Sequence, residues 1–177
     1  MHNHSKKNNL GILGGTFDPP HFGHLHISKV SLKILKLNRL IWAITKKNPL
    51  KKKPHLNIKT RIKLSKKITN NEEKIIVKFF DKKIKSENTY DLLNYIKRKQ
   101  KSSNLYFLIG ADNLPKLHKW NNWKKIPELA KIVVFPRGNH LSKRNKYIAA
   151  KSLKKKDIIY INSKKVSISS SLIRKFW

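Results

Sequence analysis

Short apolar runs alternate with segments of helical periodicity along nearly the whole chain, and this alternation limits the possible folds more than any other feature. The runs have strand length and are almost continuously apolar, as in "RLIWAIT" and "LYFLIG". Strands of this kind are typical of a parallel sheet that helices cover on both faces. We therefore predict a doubly wound, Rossmann-like α/β domain. The predicted strands are residues 10–13, 39–45, 75–80, 105–110, 131–136 and 157–162, and the predicted helices are residues 24–37, 57–68, 89–100 and a last one that begins near Ser169 or Ser170.

The length and the absence of certain segments set the broad class. The 177 residues are enough for one domain with a sizeable core, and we expect residues 1–8 to form a flexible N-terminal extension. No apolar run is long enough to span a bilayer, and the start of the chain lacks the pattern of a signal peptide. The chain has no cysteine, which excludes disulfides and thiolate metal sites. We expect a cytoplasmic enzyme with no membrane partner.

The charge of the chain allows two interpretations. It carries 42 Lys+Arg against 9 Asp+Glu, a formal net charge of +33, which would suit a polyanion such as nucleic acid. However, nearly all of the excess is lysine, and lysine, asparagine and isoleucine share A/T-rich codons, so a biased genome would produce the same composition. Arginine, which reads bases through its bidentate fork, is scarce. We predict no specific nucleic-acid partner, and we expect these strand aromatics to lie in the core: Trp42, Phe79, Phe80, Tyr106 and Phe107.

The loop "GGTFDPPHFGH" follows the first predicted strand and has the composition of a phosphate-binding turn. Gly14 and Gly15 would permit close approach of the backbone to a ligand, or positive φ angles. Gly23 and His24 are expected to open a helix, whose N-terminus attracts phosphate through free N–H groups. The imidazoles of His21 and His24 could donate to phosphate oxygens. A metal site is disfavoured because no third ligand is evident.

This loop resembles the signature of the nucleotidylyltransferase superfamily, whose HxGH loop binds the phosphates of a nucleoside triphosphate. Further segments, "FLIGADNLPKLHKWNNWKKI", "ISSSLIR", "NTYDLL" and "NPLK", are similar to parts of bacterial nicotinate-nucleotide adenylyltransferases. The resemblance runs from end to end. It implies the transfer of an adenylyl group from ATP to nicotinate mononucleotide, with Mg²⁺ as cofactor and nicotinate adenine dinucleotide and pyrophosphate as products.

The resemblance also implies roles for individual residues. His21, His24 and Arg174 would bind phosphate and stabilise the transition state. Thr89, near the nicotinate carboxylate, Asp112, on the nucleotide, and Trp120, on the nicotinate ring, would bind the mononucleotide. The residues implied to bind ATP or its phosphates are Gly14, Gly15, Thr16, Phe17, Gly23, Lys51, Ser169, Ser170 and Ser171.

Plainer interpretations stay open for several of these positions. Thr89, Asp112 and the serines at 169–171 are also typical helix N-caps. Trp123, three residues after Trp120, is expected in the core. The lysine that contacts phosphate could be a neighbour of Lys51 in the basic loop. Arg137 has no assigned role, because the proline of the family's Arg-Pro-Gly lies here before the arginine.

Two alternative functions also remain. Another HxGH enzyme, such as a phosphopantetheine adenylyltransferase or a cytidylyltransferase, would share the first loop but should lack the segment around Trp120. A basic nucleic-acid-binding protein would explain the charge. The oligomeric state and the preference between acid and amide mononucleotides cannot be read from the sequence.

Overall fold

A computed structural model describes residues 8–50, 52–163 and 168–176 of the chain. In these residues, six strands form one parallel sheet in the order β3-β2-β1-β4-β5-β6. The predicted doubly wound α/β fold is therefore confirmed. The strands are β1 (Asn9–Gly15), β2 (Arg39–Ile44), β3 (Ile75–Phe79), β4 (Asn104–Gly110), β5 (Lys131–Phe135) and β6 (Ile158–Tyr160).

Helices of very different lengths connect these strands. In the described residues, three long helices, one in each of the connections after β1, β2 and β3, cover the sheet, and the five short ones lie directly after β3, in the connections after β4 and β5, and after β6. The helices of the described residues are α1 (Phe22–Ile34), α2 (Ile58–Ile68), α3 (Asp81–Ile84), α4 (Thr89–Lys99), α5 (Leu114–Leu117), α6 (Ile126–Leu129), α7 (Ile148–Ser152) and α8 (Ser170–Ile173). Within the described ranges, none of them is long and apolar enough to cross a membrane.

The sheet is buried on both faces, as the continuous apolar runs predict. Successive strand residues point to opposite faces, so Ile12 of β1 joins one core cluster and Leu13 joins the other. Phe107 and Leu108 of β4 divide in the same way. The strand order reverses between β1 and β4, and in open α/β sheets the crevice at such a switch point receives the ligand.

The first strand and the first helix differ in detail from the prediction. β1 does not stop at residue 13, because Gly14 and Gly15 continue the ladder opposite Ala43 and Ile44 of β2. The left-handed residue of the following loop is instead Phe17, at φ 49°. Gly14 and Gly15 therefore do not serve as positive-φ turn residues.

Helix α1 also begins earlier than predicted. Its first residue is Phe22, and His21, in extended conformation, is the N-cap. The cap forms because the His21 ring accepts the backbone N–H of Gly23 at the start of the helix. The prediction that Gly23 and His24 open the helix was therefore wrong by one or two residues.

The strand aromatics are buried to different extents. Trp42 and Phe107 are fully buried, and the Trp42 indole donates to Ser28 Oγ at 2.8 Å. Phe79, Phe80 and Tyr106 are half-buried. Phe80 and Tyr106 pack against the two core clusters.

Candidate active site

One cleft of about 550 Å³ opens at the carboxyl ends of β1 and β4, at the switch point of the sheet. Its walls come from the segments after all six strands and from α8. It brings together most of the residues implied by the resemblance. These lining residues are Gly14, Gly15, Thr16, Phe17, His21, Gly23, His24, Thr89, Asp112, Trp120, Ser170, Ser171 and Arg174. Ser169 does not line the cleft, and Lys51 lies outside the described residues.

The two histidines of the first loop form a capping box that fixes their ring nitrogens. His21 Nδ1 accepts the N–H of Gly23 at 3.1 Å, and His24 Nδ1 accepts the N–H of His21 at 3.2 Å. Their ring centroids are 3.8 Å apart. Because each Nδ1 is an acceptor, a neutral ring carries its proton on Nε2 and donates from there. Both imidazoles are thus oriented as Nε2–H donors.

His21 has a donor that no described residue satisfies. Its side chain is 6% exposed, and its Nε2 is buried without a hydrogen-bond partner among the described residues. Burial, and secondarily the positive charge of Arg137, lower the pKa of His21 from 6.5 to about 4. The ring is therefore neutral at physiological pH. A buried neutral donor at the wall of a cleft is suited to an acceptor oxygen of a ligand.

Helix α8 contacts the first loop through one of its serines. Ser170 Oγ donates to the carbonyl oxygen of Pro19 at 2.8 Å. Ser169 Oγ instead accepts the N–H of Leu172 at 3.1 Å, so Ser169 is the N-cap of α8. The interpretation of Ser169 as a helix N-cap therefore holds, because its hydroxyl caps α8 and lies away from the cleft.

Arg174 joins the end of α8 to the same loop. Its guanidinium donates to the carbonyl oxygen of Asp18, lies 3.6 Å from the Asp18 carboxylate and donates to Ser171 Oγ at 3.2 Å. The side chain still lines the cleft. Arg174 is therefore held at the wall of the cleft, beside the loop that carries both histidines.

The opposite end of the cleft is formed after β3 and β4. The Trp120 ring lies edge-on to Phe107, with centroids 6.1 Å apart. Thr89 is the first residue of α4, and the N-cap position is Asn88. Trp123 packs against the core and does not line the cleft. This end therefore offers one tryptophan and one threonine hydroxyl.

Asp112 and Arg137 form an ion pair between the two ends. The Arg137 guanidinium lies 3.5 Å from the Asp112 carboxylate, and both side chains are partly exposed in the cleft. Asp112 lies inside a 3₁₀ turn (Ala111–Asn113) whose N-cap is Gly110, so the N-cap interpretation of Asp112 was wrong. Its carboxylate can accept hydrogen bonds from a ligand.

The comparisons with known proteins agree with this architecture. The family model described as cytidylyltransferase-like matches residues 12–176. A probable nicotinate-nucleotide adenylyltransferase of Pelagibacter ubique (strain HTCC1062) is 47% identical over 170 residues, which cover 96% of this chain and 94% of the relative. The chain belongs to the nicotinate-nucleotide adenylyltransferase family. A further member, from Rhizobium meliloti (strain 1021), is 36% identical over 129 residues, or 72% of this chain and 68% of the relative.

A solved structure shows the same likeness in three dimensions. Nicotinic acid mononucleotide adenylyltransferase of Plasmodium falciparum, complexed with NaAD, superposes with a TM-score of 0.74 at 25% identity. The match covers 96% of this chain and 83% of that chain. The predicted resemblance is thus confirmed, and the chain is a nucleotidyltransferase.

Sequence reasoning did not single out Asp18, and it named Arg137 without a role; both lie in the region of the cleft. Asp18, in the first loop, is buried and its carboxylate accepts the backbone N–H groups of His55 and Leu56 at 2.8 and 2.9 Å. Arg137 lines the cleft and acts on the pKa of His21. A signal existed for Asp18, since acidic residues are rare in this chain and one of them lies inside the motif.

Gly23 has no room for a side chain, which gives a first testable prediction. A Cβ at this position would lie 2.8 Å from His21 Nδ1 and 3.1 Å from Ile168 Cγ2. We expect Gly23→Ala to displace the His21 ring and to lower kcat about ten-fold, the effect of weakening one positioned donor. Steady-state kinetics on folded protein measures this. Phe22→Ala is the control for a change at this helix start, because Phe22 precedes Gly23 in α1, is exposed and does not line the cleft. An unchanged kcat in Gly23→Ala would show that the ring position does not matter.

The low pKa of His21 makes the stability of the fold depend on pH. Between about 6.5 and about 4 the unfolded chain binds a proton at His21 that the folded protein does not bind. The stability that the fold gains from neutral His21 is therefore fully present above pH 6.5. It is lost as the pH falls toward 4, which lowers the free energy of unfolding by on the order of 3 kcal/mol. We expect the free energy of unfolding to fall more steeply with acidification in wild type than in His21→Asn. Urea titrations at several pH values measure it, and parallel curves would contradict the assigned burial.

Proposed function

We propose that this cleft transfers the adenylyl group of ATP to nicotinate mononucleotide, which gives nicotinate adenine dinucleotide and pyrophosphate, as a step of NAD biosynthesis. The observation that carries the proposal is the union of two half-sites in one cleft. The neutral Nε2–H donor of His21, the His24 ring and Arg174 lie at one end, and Trp120 lies at the other. The first end of the cleft suits a triphosphate, and the second end suits an aromatic ring.

The first loop and α8 would hold the triphosphate of ATP. The backbone at Gly14 and Gly15 lines the cleft without side chains and allows phosphate to approach. Thr16 and Ser171 would add hydroxyl donors, whereas Ser170, whose hydroxyl donates to Pro19, would hold α8 against this loop. Gly23 lies at the start of α1, where the helix dipole favours an anion, and its N–H holds the His21 ring in place. Phe17, whose ring is buried against Trp42 and His24, would contribute through its backbone. A lysine of the loop after β2, Lys51 or a neighbour, stays a predicted phosphate contact.

The chemistry is an in-line displacement at the α-phosphorus of ATP. A phosphate oxygen of the mononucleotide forms a new bond to that phosphorus while the bond to the bridging oxygen of pyrophosphate breaks, and the leaving oxygen keeps the electron pair. The nucleophile is already an anion at neutral pH, so no general base is needed. The protein has to align two polyanions and stabilise the charge that moves to the leaving group.

His21 and His24 would donate to the phosphate oxygens on which this charge builds up. Removal of one preorganised donor typically costs about 3–4 kcal/mol of transition-state stabilisation. A neutral imidazole serves here as a donor and not as a base. Arg174 would hold the β- and γ-phosphates as pyrophosphate leaves.

The phosphate end of the cleft fits a magnesium ion that the nucleotide itself carries. The described residues hold no cluster of three or more His, Asp or Glu side chains, and the phosphate wall offers the hydroxyls of Thr16, Ser170 and Ser171. A Mg²⁺ ion bound mainly by phosphate oxygens and water suits such a wall. When bound, it would neutralise charge on the triphosphate. No protein ligand is assigned to it.

The other end would bind the mononucleotide. Trp120 would stack on the nicotinate ring through its indole face. Asp112 would accept hydrogen bonds from ribose hydroxyls, and the Thr89 hydroxyl would lie near the nicotinate carboxylate. The pairing of Arg137 with Asp112 favours a place for Arg137 next to the mononucleotide phosphate. The cytoplasmic location and the lack of a specific nucleic-acid partner stay predictions from the sequence.

The acceptor is tested by offering several substrates separately. Pyrophosphate release is measured with ATP and Mg²⁺ and with nicotinate mononucleotide, nicotinamide mononucleotide or phosphopantetheine. We expect the highest kcat/KM with nicotinate mononucleotide. Preferred turnover with phosphopantetheine would keep the phosphate end and overturn the acceptor. A further arm measures RNA binding at physiological salt, where retained tight binding would instead favour a role for the basic charge.

A further inference from the structure

Arg61, in helix α2, is a buried guanidinium that the mechanism does not use. It is 2% exposed and does not line the cleft. Four of its hydrogen bonds go to backbone carbonyl oxygens. Nη1 donates to Thr16 and Thr45 at 2.6 and 2.8 Å, Nη2 to Lys46 at 3.0 Å and Nε to Leu56 at 3.1 Å.

These carbonyl groups belong to three separate segments around the cleft floor. Thr16 directly follows β1, and Thr45 and Lys46 directly follow β2. Since β1 and β2 are parallel neighbours, the guanidinium ties together the carboxyl ends of both strands. Thr16 and Thr45 themselves line the cleft. A shift of Arg61 would therefore move the backbone from which the phosphate loop starts.

Leu56 links this cluster to a second anchor of the same loop. Its carbonyl oxygen accepts from Arg61, and its N–H donates to Asp18 Oδ1 at 2.9 Å. The carbonyl oxygen of Asp18 accepts in turn from Arg174. The contacts thus run continuously from Arg61 to the arginine at the cleft wall.

The chemistry of a guanidinium explains why arginine occupies this buried position. Burial lowers the pKa of Arg61 from its usual value, and the nearby carboxylates of Asp18 and Asp81 oppose that shift. A buried charge stabilises a fold weakly compared with an apolar side chain of the same volume. A planar fork of donors, however, can hold carbonyl groups of several segments at fixed angles, which neither an apolar side chain nor lysine can do.

We propose that Arg61 is a positioning residue, which holds the loop after β1 and the end of β2 in the arrangement that binds the triphosphate of ATP. It acts through Thr16, Thr45, Lys46 and Leu56 and does not touch substrate. The inference rests on the proposed function, because ATP is the ligand whose binding it supports.

The test separates the two substrates kinetically in Arg61→Lys. Lysine donates from a single nitrogen and cannot reach all four carbonyl groups, so the loop after β1 loosens. We expect KM for ATP to rise about ten-fold or more, as for the loss of one or two buried hydrogen bonds. KM for nicotinate mononucleotide should change less than about two-fold, because Thr89 and Trp120 lie on segments that Arg61 does not contact. The affinity for ATP alone, measured by calorimetry, should fall by the same factor as KM for ATP rises.

Ile132→Val is the matched control for a purely structural effect. Ile132 is fully buried in β5, away from the cleft, and its truncation lowers the melting temperature without a change in either KM. A folded Arg61→Lys protein with a lower melting temperature but an unchanged KM and affinity for ATP would overturn the proposal. Wild-type protein that binds ATP but forms no dinucleotide would overturn the proposed function instead, and calorimetry would still test Arg61.

Asp18→Asn decides the question if Arg61→Lys does not fold. Asparagine keeps the backbone carbonyl that Arg174 uses, but it places an NH₂ group against one of the two N–H groups of residues 55 and 56. The same rise of KM for ATP, with KM for the mononucleotide unchanged, is expected, and it should recur when Asp18→Asn is added to Arg174→Ala, where the 3.6 Å pair of Asp18 with Arg174 no longer exists. Equal effects on both KM values, or no effect on either, would overturn the proposal.

Discussion

Replacement of His21 by asparagine is expected to lower kcat by about 10²–10³-fold while the protein stays folded. Asparagine is a good N-cap and can accept the N–H of Gly23 as His21 Nδ1 does. It cannot reproduce the Nε2–H donor, which is buried in the cleft wall without a partner among the described residues. The variant thus keeps the cap and removes the donor. Steady-state kinetics and urea unfolding, measured on the same preparation, separate the two roles.

His21→Ala is the comparison that completes this experiment. Alanine loses both the donor and the cap, and loss of a cap costs about 1 kcal/mol of stability. We expect kcat to fall as far in His21→Ala as in His21→Asn, whereas only His21→Ala loses that stability. If His21→Asn kept nearly full activity, the first loop would bind phosphate through its backbone alone, and the role of the imidazole would be refuted.

Replacement of Arg174 by alanine is expected to lower kcat/KM for ATP by about 10²-fold, because a buried charge-assisted contact to phosphate typically contributes about 2–5 kcal/mol. The guanidinium is held against Asp18 and Ser171 at the cleft wall. Its removal also takes away one of the two guanidinium groups near the Asp18 carboxylate, whose side chain is 5% exposed. We therefore expect a moderate loss of stability beside the kinetic effect. Kinetics with ATP as the varied substrate measures the first, and urea unfolding measures the second.

Two variants control for charge and for position. Lys175→Ala removes one positive charge from an exposed neighbour and should leave kcat/KM within about two-fold. Arg174→Lys keeps the charge but loses the fork, and should lie between alanine and wild type. If Lys175→Ala were as damaging as Arg174→Ala, the effect would be one of overall charge and not of a placed guanidinium.

The sequence was informative where pattern and motif coincide. Continuous apolar runs such as residues 105–110 are buried on both faces, so they predicted the parallel sheet and the edge at which the cleft opens. The first loop carried enough unusual residues to be placed at the cleft. The predicted early end of β1 failed for a simple reason. Gly14 and Gly15 suggested a turn, but a glycine pair can continue a ladder when the next strand offers partners.

The buried charged side chains were the part of the site that could not be predicted from the sequence. Arg61 lies in the segment "KTRIKLSKK", which is rich in basic residues. In such a segment each basic side chain, including that of Arg61, is expected to be exposed to solvent. Arg61 is buried because helix α2 directs it under two strand ends whose carbonyl groups lie within its reach. Those acceptors come from residues 15 and 45 positions away in the chain, so no local pattern shows them. Ser169 is the opposite case, because three successive serines look equivalent in sequence and only the backbone decides which one caps α8.

In the proposed reaction, one cleft joins the α-phosphate of ATP to the phosphate of nicotinate mononucleotide. The most direct measurement incubates wild type and His21→Asn with Mg²⁺, ATP and nicotinate mononucleotide, identifies the nucleotide products by mass spectrometry and quantifies pyrophosphate in the same samples. We expect nicotinate adenine dinucleotide and pyrophosphate in equal amounts from wild type, and both strongly reduced in His21→Asn. Consumption of ATP without the dinucleotide, or equal product from both proteins, would contradict the account.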